Sequence, residues 1–246
     1  MRPEKPFCIG IIGGMGPRAT VHFQNLLLEA TGEKTDQEYP PFICASASRL
    51  PDRSRLLAEG RGEELAQRLA EIGRKLEDAG ATVLVMPCLT AHAVWPSLQP
   101  LLKIPLLDLA ALTARDLLTR DPPLHRIGVL ATTATLRERV FERHFTGVNP
   151  RQVMAVTDVF QTEIMNLIFG IKGGYKAWHG DRLRALADQM RASGAKAIIL
   201  GCTELSLATE MMRGLGVPIF DPLRIAAAEL VRQFRSTFYS CSGPVP

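Results

Sequence analysis

Two short runs of the chain end alike. "VLVMPCLT", from Val83 to Thr90, and "IILGCTEL", from Ile198 to Leu205, each carry β-forming residues into a cysteine and then a threonine. Other segments repeat as well. "IGIIGGMGPRAT" from Ile9 is echoed by "IGVLATTATLRE" from Ile127, and "KIPLLDLAALTARDLL" by "VPIFDPLRIAAAELV". The landmarks recur in one order and at nearly one spacing, a little over a hundred residues. That is the mark of an internal duplication. Within each copy, apolar strand-like runs alternate with helical periodicity, and Gly or Pro marks most boundaries. Such alternation implies parallel strands covered by helices. The expected fold is therefore α/β, with two pseudo-symmetric lobes, each a mostly parallel sheet flanked by helices. "TRDPPLH", Thr119 to His125, reads as the crossing between them. The last helix, near residues 222–239, is expected to pack back on the first lobe, because its counterpart Leu109–Leu118 precedes the crossing. The lobes would then be residues 1–118 with 222–246, and residues 119–221. The closing "SCSGPVP" reads as a frayed tail.

Bulk properties narrow the function. The chain has 246 residues, 46% hydrophobic and 22% charged, as in an ordinary globular protein large enough to bury a real core. No apolar run approaches a membrane span, and the opening "MRPEKPFCIG" does not read as a secretory signal, so a cytoplasmic protein without a membrane partner is expected. The net charge of +4 is spread along the chain with no basic block, so nucleic acid is not an expected partner. Five cysteines are an odd number, and no CxxC pair or zinc spacing occurs. A disulfide framework and a metal site are both excluded as expectations, leaving buried small residues or reactive thiols.

Open α/β sheets bind ligands at the carboxyl ends of their strands. Two lobes facing each other would put Cys88 and Cys202 on opposite walls of one cleft. Each thiol would sit near unsatisfied backbone N–H groups at a helix start, which is expected to lower its pKa below the free value of about 8.5. A thiolate facing a thiol across a carbon can remove a proton from one face and return one to the other. A near mirror-related site suits a reversible inversion. Two buried structural cysteines are the alternative.

The same segments, with "DQEYPPF" at 36–42, "LPDRS" at 50–54, "PCLTAH" at 87–92 and "IKGG" at 171–174, make the chain resemble the aspartate/glutamate racemase family, the cofactor-independent two-cysteine racemases. The Gly-rich opening points to the aspartate racemase branch. The resemblance covers nearly the whole chain. It implies an amino-acid substrate, an active site between two α/β lobes, a homodimer, and no cofactor or metal. It implies that Cys88 and Cys202 are the catalytic pair and that Arg53 and Lys172 meet substrate carboxylate, a task a guanidinium suits. By their own sequence context, Arg53 has a loop position and Lys172 a place beside two glycines in a plausibly mobile loop. Met15 and Gly16 would line the floor at the first strand end. Thr90 and Thr203 are candidates for hydrogen bonds to a carboxylate, and Thr132 and Thr135 occupy the matching loop of the second lobe; helix capping is the alternative for all four. His92, four residues past Cys88, is placed to tune that thiol or to be a satisfied core histidine. Glu204 is placed to orient the Cys202 thiol or to cap a helix.

The chain departs from the family at recognition positions. Leu89 stands where the family usually has asparagine, so one polar contact to substrate is lost. Ser46-Ala47-Ser48 stands where an Asn-Asp-Pro run is common. Aspartate, or else glutamate, is the first expected substrate; a different amino acid or broader selectivity is the second. A related diacid isomerase or decarboxylase, and a binding protein without turnover, are further alternatives. "GMGPRA" also fits the dinucleotide fingerprint GxGxxA, but "FICASASRL" lacks the acidic residue that should close the next strand.

Overall fold

A computed structural model describes residues 6–32, 35–120, 124–145, 153–154, 156–174 and 176–241. Part of the expected crossing, residues 121–123, and most of the expected tail, residues 242–246, lie outside the described residues. The first half runs β1 (Ile9–Gly13), α1 (Pro17–Thr31), β2 (Phe42–Ser46), α2 (Arg53–Ala58), α3 (Gly62–Asp78), β3 (Val83–Val85), α4 (Trp95–Leu98) and α5 (Leu109–Leu118). The second runs β4 (Ile127–Ala131), α6 (Thr133–Arg137), α7 (Asp158–Gly173), α8 (Ala177–Ala192), β5 (Ala197–Gly201), β6 (Ile219–Phe220) and α9 (Pro222–Cys241). Two three-stranded parallel sheets result, ordered β2-β1-β3 and β4-β5-β6. Each gains one bridge at an edge: Leu106 beside Leu84 in the first, Val153 beside Ile127 in the second. Two repeated segments thus become repeated strands, β1 with β4 and β3 with β5, while the third gives β6 in the second copy and a single bridge at Leu106 in the first.

Strand periodicity explains the layers. Alternate residues of each strand face opposite sides of its sheet. Ile9, Ile11, Val83 and Val85 of the first sheet share one core with Ile127, Val129, Ala197 and Ile199 of the second. Helices α1, α5 and α9 fill that shared layer through Phe23, Leu109, Leu117, Leu223 and Leu230. The other faces are private. Ile12 and Leu84 pack on α3 through Leu65, Leu69 and Leu76, while Leu130, Ile198 and Leu200 pack on α7 and α8 through Ile164, Leu167 and Leu183. Helix α9 packs on α1 and α5, as its place in the repeat requires. It runs to Cys241, so the first two residues of the expected tail are helical. Among the described residues, no helix is long and apolar enough to cross a membrane.

The second residue of the repeated "IG" is glycine in both copies for a steric reason. A Cβ at Gly10 would come 2.5 Å from Leu84 Cδ2 and 2.9 Å from Ala81 Cβ; one at Gly128 would overlap Met190. Leu84 and Ala81 beside β1, and Met190 of α8 behind β4, can approach only because that side chain is missing.

Candidate active site

Both cysteines lie just past the carboxyl end of a strand in the middle of the molecule. Cys88 follows β3, held by a tight turn in which its N–H donates to the Met86 carbonyl at 2.7 Å. Cys202 follows β5 directly. The expected helix comes next in each case and is a short 3₁₀ helix, Thr90–Val94 and Leu205–Met212. The thiols are 5% and 4% exposed and line one cleft. Met15, Arg53, Leu89, Thr90, Lys172, Thr203 and Glu204 line it as well, so most of the expected residues converge. Asp52 and Ser54 also line it, though sequence reasoning passed them over. Their only signal was position beside Arg53. The cleft is closed to about 10 Å³, about one water and too small for an amino acid.

Local structure accounts for several placements. Asp52 caps α2 by accepting from the Arg55 N–H at 3.0 Å, which makes Arg53 the first helical residue rather than a loop residue. Lys172 is likewise not in a loop: it sits in the last turn of α7, which stops at Gly173. Gly14 has φ +85°, and a Cβ there would come 2.5 Å from the Ala47 nitrogen. That turn brings Met15 into the cleft and Gly16 to the N-cap of α1.

Three expected residues stand behind the cleft, not in it. Thr132 and Thr135 join Thr90 in a buried triangle of hydroxyls, with Oγ1–Oγ1 distances of 3.0, 3.2 and 2.8 Å. Thr132 also caps α6 through the Thr135 N–H. His92 does not touch the Cys88 thiol. Its Nδ1 donates to the Cys88 carbonyl at 2.9 Å, and its Nε2 accepts from the Leu109 N–H at 3.2 Å. These partners fix the neutral Nδ1–H tautomer, and burial lowers the pKa of the ring further. Arg143, on the second half of the chain, donates to the His92 carbonyl at 3.0 Å and approaches Asp108, the cap of α5.

The electrostatics correct one expectation. Both thiols have pKa values above the ordinary thiol value, not below it. Burial is the main cause for each, because an anion there has lost its water. For Cys88, Arg53 acts against burial, Glu204 adds to it, and the Ala91 N–H and Lys172 also lower the value. For Cys202, Glu204 adds strongly to burial and Lys172 opposes it; the thiol is pushed well up. Its Sγ donates to Glu204 Oε2 at 3.0 Å, and the Thr203 hydroxyl donates to the same oxygen at 3.3 Å. Glu204 therefore points back at the thiol instead of capping the 3₁₀ helix.

The chain is similar in sequence and fold to known proteins. A broad specificity amino-acid racemase, RacX, from Bacillus subtilis is 25% identical over 92% of this chain and 97% of its own. A glutamate racemase from Pseudomonas paraeruginosa is 28% identical over 75% of this chain and 70% of its own. Among solved structures, an aspartate racemase from Picrophilus torridus superposes with a TM-score of 0.80 at 24% identity, covering 93% of this chain and 94% of that one. An aspartate racemase homologue from Pyrococcus horikoshii superposes with a TM-score of 0.70 at 25% identity, covering 94% and 99%. Residues 12–230 match the profile of the Asp/Glu/hydantoin racemase family, and the chain belongs to that family of isomerases.

Proposed function

We propose that the protein is a cofactor-independent amino-acid racemase in which Cys88 and Cys202 exchange a proton with the α-carbon from opposite faces. The observation that carries this reading is that equivalent turns of the two halves deliver both thiols to one closed cleft. In one direction, a thiolate takes the Cα proton and the opposite thiol donates its own to the other face. The enzyme is left with the charge on the second sulfur, ready for the reverse reaction. Arg53 and Lys172 supply the positive charge that a carboxylate and the developing carbanion need. Thr90, Thr203, Met15, Gly16 and Leu89 complete the substrate wall, while Thr132, Thr135 and His92 hold that wall in position. No cofactor is needed for a proton transfer that two thiols carry out.

Aspartate or glutamate is the first substrate, because two cations face the cleft. Broader selectivity is the second reading, favoured by the apolar Leu89 on the wall and by the broad specificity of the Bacillus relative. A cytoplasmic homodimer, with residues 1–118 and 222–246 as one lobe and 119–221 as the other, completes the proposal; the packing of α9 on α1 and α5 supports that division.

Incubation with a panel of L-amino acids in heavy water tests the reading. Deuterium should enter at Cα together with loss of optical purity, more readily as the pH rises, because both thiols are pushed up. Cys88→Ala and Cys202→Ala should each lower racemisation by about 10³-fold or more. A panel including aspartate and glutamate that shows neither signal rejects the proposal, and a near-native alanine variant rejects the paired mechanism.

A further inference from the structure

Two buried polar atoms of the cleft lining have no hydrogen-bond partner: Arg53 Nε and Glu204 Oε1. The two groups are oppositely charged. Glu204 is 3% exposed, and its other oxygen already takes the Cys202 thiol and the Thr203 hydroxyl. A buried carboxylate oxygen without a donor is costly, so a ligand that brings a donor gains what the empty site forgoes. The cleft's own cations leave that oxygen unmet: among the described residues, neither Arg53 nor Lys172 forms a salt bridge with Glu204. Oε1 can sit this close to the turn before α1 only because residue 16 is glycine; a Cβ there would lie 2.9 Å from that oxygen.

We propose that Glu204 Oε1 is the acceptor for the substrate's α-ammonium group, while Arg53 Nε–H receives a carboxylate, so that the cleft selects α-amino acids over acids that lack the amino group. The inference rests on the racemase reading and names what that reading leaves open, the feature by which the substrate class is recognised. An orphaned anionic acceptor and an orphaned cationic donor in one cleft complement the two charges of an amino-acid zwitterion. The first half of the cleft lining carries one carboxylate, Asp52, but its Oδ1 is engaged in capping α2 and the residue is exposed, not a buried orphan. The equivalent of Glu204 in that half is Thr90, whose hydroxyl is already engaged by Thr132 and Thr135. With the ammonium group held by Glu204, both enantiomers bind with nitrogen near Cys202. The docked charge has a second effect. It offsets the carboxylate that holds the proton on Cys202, so that thiol ionises more easily when an amino acid is present.

The test measures equilibrium binding to the full chain of amino acids and their deamino partners: aspartate with succinate, glutamate with glutarate, alanine with propionate, lysine with aminocaproate. For whichever amino acid exchanges its Cα hydrogen, the native protein should bind it about tenfold or more tightly than its partner. Glu204→Gln should erase that ratio by weakening the amino acid and leaving the deamino acid unchanged. Gly16→Ala, whose methyl group would press on Oε1 and displace it, should reduce the ratio as well. Equal affinities in the native protein overturn the inference without any variant. A ratio that survives in Glu204→Gln, in a protein whose native form racemises, overturns the ammonium assignment alone. A native protein that exchanges no amino acid overturns both this inference and the racemase reading.

Discussion

The turn after Cys88 and the turn after Cys202 have the same architecture and different chemistry. Each leaves a buried parallel strand, carries its thiol into the cleft, and is tied to the first turn of a helix that starts at a capping aspartate. Asp108 caps α5 by accepting from the Ala110 and Ala111 N–H groups, and Asp221 caps α9 through Leu223. Four residues past each cysteine a polar side chain makes the tie, but it is His92 in one turn and Ser206 in the other. His92 bridges two backbone groups. Ser206 donates to Asp221 at 2.6 Å and contacts His22 at 3.1 Å. Two residues past the cysteine the contrast is sharper. Thr90 is neutral and joined to hydroxyls, whereas Glu204 is acidic and joined to the thiol. Duplication supplied two equivalent positions for sulfur; divergence around them made the sulfurs unequal.

The largest effect expected from this inequality is in thiol chemistry. The two cysteines are almost equally buried, so their alkylation rates compare ionisation more than access. As pH rises, iodoacetamide should modify Cys88 before Cys202, read by peptide mass spectrometry. Cys202 reacting first would break the comparison, since it would mean the Glu204 carboxylate does not hold that proton.

The helix ties should differ in stability. His92→Ala leaves the Cys88 carbonyl and the Leu109 N–H buried without partners, and should cost about 3 kcal/mol. Ser206→Ala should cost only about 1 kcal/mol, because Asp221 keeps its bonds from Thr209 and Leu223. Equal losses in urea denaturation would show that the two ties carry the same load.

The smallest contrast lies behind the first strands. Gly10→Ala would press on Leu84, Ala81 and Leu76, two of them through Cβ atoms that cannot move without the backbone. Gly128→Ala would press first on the flexible side chain of Met190. Thermal or urea unfolding should show losses of about 2 and about 1 kcal/mol respectively. A reversed order would mean that α8 is held more rigidly than α3.

Some of the site was legible because duplication prints it twice. Cys88 and Cys202 can be paired by reading alone, since the strand before each and the threonine after it repeat. Arg53 and Lys172 were legible only through resemblance, and both were misread as loop residues. Asp52 as a cap and the continuity of α7 to Gly173 put them on helices. Asp52 and Ser54 went unseen because nothing local marks a cleft-lining residue beside a surface-like arginine. The thiol pKa values were misjudged for a related reason. Backbone N–H groups near a strand end are visible in a sequence, but the depth at which a thiol is buried is not, and here burial outweighs them.

What the sequence by itself determined was the periodic part: strands of period two, helices of period near four, their order, and the second copy of all of it. Local rules govern these features, so they survive reading one segment at a time. Only the tertiary structure decided that Glu204 turns back to its own cysteine, that Thr90 meets Thr132 and Thr135 from the other half, and that Glu204 Oε1 sits against Gly16. Each depends on how two lobes approach across a cleft. That approach is set by the shared layer of α1, α5 and α9, whose packing no single segment of the chain encodes.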